Sequence, residues 1–220
     1  MKIFNRKIVL SLLSILLSFL TFILMFGMGE IFLRLKNRDM KNYDIEMWRY
    51  SKELKRLSSD PEIGHEHIPN SKAILQNIPI SINELGLRAK PVLSNQHNFR
   101  RILFLGDSIA FGWGVEEEDT VEKRLEALFI ENHKNVEVLN AGVGNYNGRR
   151  SIALFLKRLE KLNPDDIILE CNPRSAEKLK SEEGNLLLKH SELAVSFWIE
   201  LQKLWSFASE GSLESHYRKV

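Results

Sequence analysis

The residues with the clearest chemical potential are Gly106-Asp107-Ser108, which follow a short apolar run at residues 102–105. Such a run predicts a buried strand, and the Gly-Asp-Ser that ends it predicts a sharp turn. Ser108 then lies at the carboxyl end of the strand, the edge where ligands collect in open α/β sheets. A serine there is either a nucleophile or a helix N-cap, and serine is a favoured cap.

Two more segments bear on that choice. Residues 138–147 contain Asn140, Gly142, Gly144 and Asn145, and residues 163–170 begin with Asn-Pro and continue as an apolar run. Together with residues 101–114, the 138–147 segment resembles the first two sequence blocks of the SGNH, or GDSL-type, ester hydrolases. Residues 163–170 look like the strand that leads into the third block. Order and spacing are similar to a membrane-anchored branch of that family, and the resemblance covers roughly residues 60–220.

The resemblance implies a serine nucleophile and an oxyanion hole. In that family the block I serine, here Ser108, attacks an ester carbonyl. Its own backbone N–H, a block II backbone N–H (here that of Asn145) and a block III asparagine bind the oxyanion. The block III asparagine falls on Arg174 here, unless a shift of two residues brings Asn172 into its place. A C-terminal Asp-x-x-His supplies the base in the family.

That base is missing from the sequence. No Asp-x-x-His follows Ser108, and the later histidines are His133, His190 and His216. The resemblance therefore implies an esterase or O-acyl transferase homologue, acting on acylated glycans, lipids or small esters, that is impaired in this chain. Residues 211–220 contain no closing strand, which indicates an incomplete, truncated domain. Two alternatives stay open: a non-catalytic membrane-bound binding protein, and a truncated product without function.

Composition narrows the possible partners. The net charge of the 220-residue chain is +2, and no basic stretch is interleaved with aromatics, which argues against nucleic acid. Residues 106–114 lack the glycine register of a nucleotide-binding loop, so no cofactor is expected. His65 and His67 form a His-x-His without further ligands at suitable spacing, which predicts solvated loop histidines and no metal site. The single cysteine, Cys171, is predicted to be a small buried apolar residue.

The N-terminal segment predicts a membrane anchor. No charged residue occurs between Lys7 and Glu30, so residues 8–29 are long enough to span a bilayer. The run exceeds a signal-peptide core and no Ala-x-Ala-like site follows it, which favours an uncleaved, single-pass anchor. Basic residues flank both ends and leave the orientation open. The family resemblance favours a domain on the extracytoplasmic side.

The rest of the chain predicts an α/β fold. Strands are predicted at residues 102–105, 136–139 and 167–170, and helices at 121–132, 149–162 and 193–207, the last with Trp198 and Trp205 in the core. This alternation predicts a parallel, doubly wound sheet. The resemblance implies a flavodoxin-like three-layer α/β/α sandwich behind one transmembrane helix. We expect an anchor at 1–31, a segment at 32–98 with an amphipathic helix (46–57) and extended wrapping chain (61–91), and the hydrolase-like domain at 99–220.

Overall fold

The computed structural model describes residues 6–89, 91–92, 99–171 and 185–210. The α-helices in these residues are α1 (Arg6–Lys36), α2 (Tyr43–Leu54), α3 (Ser108–Phe111), α4 (Val121–Glu131), α5 (Gly148–Leu154), α6 (Leu186–His190) and α7 (Glu192–Glu210). The strands are β1 (Lys55–Leu57), β2 (His65–His67), β3 (Lys72–Leu75), β4 (Ile78–Ser81), β5 (Arg100–Gly106), β6 (Val136–Gly142) and β7 (Asp166–Leu169). The described residues form two compact units: one contains α1, α6 and α7, and the other spans residues 46–183.

The first unit is helical and is dominated by α1. Ile8–Lys36 is long and apolar enough to cross a membrane, and within the described residues it is the one helix that meets these criteria. The most apolar stretch of this helix has no buried share, so its leucine, isoleucine and phenylalanine side chains face outward. An outward-facing apolar surface along an uncharged stretch of helix is what a lipid environment would cover.

The second unit is built on a parallel sheet with the order β6-β5-β7 among the described residues. In the central register, Leu103 of β5 lies opposite Leu139 of β6 and Ile167 of β7. Alternate residues of β5 point to opposite faces. Leu103 and Leu105 pack in one core cluster with α5, while Ile102 and Phe104 pack in a second with α4. The predicted mixed α/β fold with a parallel sheet is confirmed; the three-layer sandwich stays a prediction.

The predicted elements of this unit lie close to the observed ones, with differences at their ends. β5 extends through Gly106, so the turn follows the glycine directly. The helix predicted at 149–162 divides into α5, a π-helical turn (Phe155–Leu159) and a 3-10 turn (Glu160–Leu162). The helix predicted at 46–57 is α2, which ends at Leu54 because residues 55–57 pair with β2 as a strand.

The segment at residues 61–91, predicted as extended wrapping chain, includes strands among its described residues. This segment contains β2 and an antiparallel hairpin of β3 and β4. The hairpin turns at Gln76 and Asn77, whose φ angles of 52° and 63° are those of a type I′ turn. Ala73, Leu75, Ile80 and Ile82 are buried at every second position, a strand period that the neighbouring prolines obscure.

Two burial predictions are wrong. Trp198 and Trp205 were expected in the core because they are seven residues apart on one helix face, yet 48% and 75% of their surfaces are exposed. Cys171 was expected to be buried because it follows an apolar strand, yet it is an exposed free thiol. The spacing of the two tryptophans identifies a shared helix face, and the apolar run before Cys171 identifies the end of a strand. Tertiary packing decides whether the protein buries those positions.

Candidate functional site

The Ser108 turn lies at the carboxyl end of β5, and Asp107, not Ser108, caps the helix that follows. The Asp107 Oδ1 atom accepts a hydrogen bond of 2.8 Å from the backbone N–H of Ile109. Ser108 is the first residue of α3, so its own backbone N–H has no helical partner. Among the described residues, neither this N–H nor the Ser108 hydroxyl makes a hydrogen bond. The N-cap alternative for Ser108 is therefore wrong, and its hydroxyl is available for another role.

Two glycines allow the turn to pack against the sheet. A Cβ atom at Gly142 would lie 2.2 Å from the backbone nitrogen of Phe111, and one at Gly106 would lie 2.6 Å from the Cβ of Ala110. Gly106 and Gly142 are register partners at the ends of β5 and β6. The absence of both side chains lets α3 contact the sheet at its carboxyl edge. The loop that contains Asn145 begins at the same edge.

The Gly144–Asn145 peptide is held by its carbonyl. The carbonyl oxygen of Gly144 accepts hydrogen bonds from His65 Nε2 at 3.1 Å and from Lys55 Nζ at 3.4 Å. In a trans peptide the N–H of the next residue points away from that carbonyl. Asn145 is exposed, has a φ of 66°, and its N–H has no hydrogen-bond partner in the described part of the chain. This N–H is thus an oriented donor at the carboxyl edge of β6.

A buried Tyr50–His67 pair holds the same loop from its other end. The Tyr50 hydroxyl oxygen accepts from the Gly144 N–H at 2.9 Å and lies 2.7 Å from His67 Nε2. His67 Nδ1 lies 3.0 Å from the carbonyl oxygen of Gly86, which can only accept. His67 Nδ1 therefore carries the proton, and Nε2 accepts from the Tyr50 hydroxyl. Every polar atom of this pair has a partner, so Gly144 is fixed at both its N–H and its carbonyl.

His65 is engaged at both ring nitrogens. Its Nε2 donates to the Gly144 carbonyl, so its Nδ1, 3.2 Å from Arg150 Nη1, accepts from that guanidinium. The prediction of solvated loop histidines is wrong, because His65 and His67 are only 9% and 3% exposed. Their partners Gly86, Gly144 and Arg150 lie far along the chain, and nothing in the local His-x-His sequence indicates them.

Burial of these two histidines predicts a loss of stability in mild acid. Burial lowers the pKa of His65 to about 3 and that of His67 to about 4. The unfolded chain takes up these protons below about pH 6.5 and the folded chain does not, so their contribution is complete above pH 6.5. That contribution falls progressively between pH 6.5 and about 4, by roughly 3 kcal/mol for His67.

Urea unfolding of the full chain in mild detergent at several pH values measures this loss. His67→Gln keeps a donor for Gly86 and an acceptor for Tyr50 but does not titrate, so the slope between pH 6.5 and 4.5 should become shallower. His133→Asn is the matched control, because His133 is exposed. An unchanged slope in His67→Gln would show that His67 titrates normally in the fold.

Arg88 supports the other side of the Ser108 turn. Its guanidinium donates to the carbonyl oxygens of Phe111 at 2.9 Å, Gly112 at 2.5 Å and Val115 at 2.7 Å. These carbonyls end α3 and begin the next loop. The side chain is only 1% exposed. These hydrogen bonds from a buried arginine fix the position of the Ser108 turn.

A general base for Ser108 is not supplied by the described residues. His65 and His67 use both ring nitrogens elsewhere. His133 precedes β6, so the length of that strand, about 20 Å at its usual rise per residue, separates it from the Ser108 edge. The Glu170 carboxylate accepts from the Asp107 N–H at 3.2 Å and so supports the turn. It makes no hydrogen bond to the Ser108 hydroxyl.

The third oxyanion donor cannot be assigned. Arg174 and Asn172, the two positions that the resemblance offers, lie outside the described residues. The described site therefore consists of the Ser108 hydroxyl, the Ser108 N–H and the Asn145 N–H, with Arg88, Tyr50, His65 and His67 as their supports. A serine hydroxyl can act as a nucleophile, and backbone N–H groups can stabilise a developing negative charge.

A cavity of about 180 Å³ in the same unit lies elsewhere. It is lined by residues from β1 and β2, the 84–87 turn, the end of α5 and the two helical turns that follow α5, including Arg56, Glu66, Arg158 and Lys161. Neither Ser108 nor Asn145 lines it. This cavity is separate from the candidate site, because the Ser108 hydroxyl and the Ser108 and Asn145 N–H groups lie at the carboxyl ends of β5 and β6.

Comparison with known proteins gives only a weak likeness. No family model matches the chain, and none of the curated proteins is similar to it in sequence. Among solved structures, AlinE4, described as an SGNH-hydrolase family esterase, has 24% identity and a TM-score of 0.32, over 36% of this chain and 42% of that one. Two mutants of the same esterase give TM-scores of 0.32 with 24% and 22% identity. The chain thus spans about two fifths of the length of the esterase that it resembles.

Proposed function

We propose that this chain is a membrane-anchored SGNH/GDSL-type serine esterase or O-acyl transferase homologue that carries the nucleophile and two oxyanion donors for ester chemistry. The observation that carries the proposal is the Ser108 hydroxyl, which has no hydrogen-bond partner in the described residues because Asp107 performs the capping. A structural serine would use its hydroxyl as the cap. The Ser108 hydroxyl instead has no partner among the described residues, and the same holds for the backbone N–H groups of Ser108 and Asn145.

The chemistry follows from that geometry. The Ser108 oxygen attacks the carbonyl carbon of an ester, and the carbonyl oxygen becomes an oxyanion that the Ser108 and Asn145 N–H groups stabilise. The bond to the leaving alcohol then breaks and leaves an acyl-serine. Water releases the acyl group in a hydrolase, and a second alcohol accepts it in a transferase.

The described residues supply no base to take the Ser108 proton. Removing the base histidine costs about 10⁶ in turnover in a serine hydrolase. We therefore expect this chain to hydrolyse esters at or near the uncatalysed rate. The substrates that the proposal implies are acylated glycans, lipids or small esters on the extracytoplasmic side of the membrane that α1 spans.

Imidazole in solution can stand in for the missing base and so tests the proposal. The full chain in mild detergent is given p-nitrophenyl acetate, with and without imidazole, beside Ser108→Ala. Without imidazole the two proteins should release p-nitrophenol at the same rate. With imidazole the unmodified chain should exceed Ser108→Ala by about tenfold or more, because the oxyanion donors and the nucleophile are in place. Equal rates with imidazole would contradict the proposal.

The absence of a base in the described residues favours a second candidate, a non-catalytic binding protein. The same two N–H groups could bind the carbonyl or an anionic group of an acylated ligand without turnover. Equal imidazole-supported rates, combined with a shift of the Asn145 amide resonance on addition of acetate, would favour this role. No shift and no rate difference would exclude both uses of the site.

A further inference from the structure

Helix α7 has two contrasting faces. Val195 is buried and Glu192 is 5% exposed on the face that packs in the helical unit, where Glu192 accepts from Asn37 Nδ2 at 3.2 Å. The opposite face is apolar and open. Phe197, Trp198, Leu201, Leu204 and Trp205 project from it, with exposed fractions of 67%, 48%, 36%, 65% and 75%. Helices of soluble proteins expose polar residues on the outward face, so the exposed apolar face of α7 indicates contact with another apolar surface.

Hydrogen bonds with Glu30 and Arg34 of α1 fix the beginning of α7. The Glu30 carboxylate accepts hydrogen bonds from the N–H groups of Glu192 at 3.0 Å and Leu193 at 2.9 Å, and from the Ser191 hydroxyl at 2.8 Å. Arg34 donates to the carbonyl oxygen of His190 at 3.0 Å. Two residues on successive turns of α1 thus hold the chain immediately before and at the start of α7.

Glu30, which holds the start of α7, immediately follows the uncharged stretch of α1. The 22 positions between Lys7 and Glu30 extend about 33 Å along a helix, which matches the roughly 30 Å hydrocarbon core of a bilayer. Glu30 therefore lies where the hydrocarbon gives way to headgroups. A helix that begins there with an open tryptophan and leucine face is placed at the depth where tryptophan is enriched in membrane proteins.

Apolar surface also continues from α1 to α7. Beyond Glu30, Ile31, Phe32 and Leu35 of α1 are 60%, 65% and 63% exposed. On α7, Glu192 lies on the buried face, and Lys203 pairs with Asp44 at 3.1 Å and Glu200 at 3.0 Å. The described α7 sequence is net acidic, so attraction to anionic lipid would not hold it, whereas burial of its apolar face would.

We propose that α7 lies in the interface of the membrane that α1 spans, with its Phe197, Trp198, Leu201, Leu204 and Trp205 face in lipid. The proposal rests on the membrane anchor of the proposed function. A second helix at the interface would add a second contact with the bilayer to that of the anchor. The occupant of the open face is thus a lipid surface and not another protein.

Tryptophan quenching by brominated lipid tests this placement. The full chain is reconstituted in phosphatidylcholine vesicles whose acyl chains carry bromine either near the headgroup or near the bilayer centre. Shallow bromine should lower the emission assigned to Trp198 and Trp205 about twofold, and deep bromine should lower it less. That emission is the difference between the unmodified chain and Trp198→Phe/Trp205→Phe, whose changes are at exposed positions.

A tryptophan introduced into α1 distinguishes failure of the interfacial placement of α7 from failure of the membrane anchor. Leu17→Trp, made in the Trp198→Phe/Trp205→Phe background, should be quenched most by deep bromine if α1 spans the bilayer. Quenching of Leu17→Trp without quenching of Trp198 and Trp205 would overturn the interfacial placement and leave the anchor intact. The same result with chemical cross-links between two copies would assign the face to a protein contact. Absence of quenching at Leu17→Trp would overturn the anchor and the placement together.

Discussion

Gly142→Ala should unfold or severely weaken the sheet-containing unit, since the added methyl group meets backbone that cannot move aside. A Cβ at this position would lie 2.2 Å from the nitrogen and 2.8 Å from the Cα of Phe111, and 2.6 Å from the carbonyl carbon of Ala110. Rotating a side chain relieves none of these contacts. We expect a loss of about 3 kcal/mol or more in the free energy of unfolding, the upper range for overpacked sites.

Urea unfolding in mild detergent, followed by tryptophan fluorescence, measures this loss. Gly27→Ala is the control, because a Cβ at Gly27 has no atom within 4 Å and alanine favours a helix. The Gly27 variant should unfold at the same urea concentration as the unmodified chain. A Gly142→Ala midpoint equal to that of the control would mean that α3 does not pack on the end of β6, and the Ser108 turn would lose its position.

Arg88→Met should be nearly as damaging, for an electrostatic reason. The guanidinium donates to three carbonyl oxygens, those of Phe111, Gly112 and Val115, and Arg88 itself is only 1% exposed. Methionine fills much of the same volume but donates nothing. The Val115 carbonyl is then left without a donor, whereas the Phe111 and Gly112 carbonyls keep Asn140 Nδ2 and the Val115 N–H as donors, each at 3.3 Å. An unsatisfied buried acceptor costs about 1–3 kcal/mol and a hydrogen bond to a charged group contributes about 1.5–3 kcal/mol, so we expect a total loss of about 3 kcal/mol.

The matched control is Arg124→Met. Arg124 forms an ion pair with Asp119, but its side chain is 69% exposed, so little change in stability is expected. The comparison separates the loss of a buried hydrogen-bond donor from the loss of a positive charge. Equal effects of the two substitutions on the unfolding midpoint would contradict the assigned role of Arg88.

The parts of the fold that sequence analysis predicted are those set by local pattern. The apolar run of β5 and the helical spacing of α4 are evident in the sequence, and the alternation of strands with helices indicates a parallel sheet. The position of Ser108 at the carboxyl end of β5 follows directly. Sequence alone could not choose between nucleophile and cap, because that choice depends on which of two adjacent side chains, Asp107 or Ser108, turns toward the helix.

The supports of the site could not be predicted because their partners are distant in sequence. His65 reaches Gly144 and Tyr50 reaches Gly144 across 79 and 94 residues, and Arg88 reaches Phe111 across 23. A His-x-His in a polar stretch is typical of an exposed loop, and only the tertiary fold encloses this one. Likewise, the spacing of Trp198 and Trp205 identifies a face of α7 without showing whether protein, water or lipid covers it.

The central claim is that Ser108 is a nucleophile beside two oxyanion donors, and covalent labelling by a fluorophosphonate tests it most directly. The full chain is labelled briefly in the presence of imidazole, which stands in for the missing base, and is then digested, and the modified serines are located by mass spectrometry. We expect Ser108 to react on the order of 10² times faster than the exposed Ser59, because the Ser108 and Asn145 N–H groups stabilise the charge that develops on the phosphonyl oxygen. Ser108→Ala should reduce total labelling to the background of the other serines. Equal reaction at Ser108 and Ser59, or unchanged labelling of Ser108→Ala, would contradict the claim.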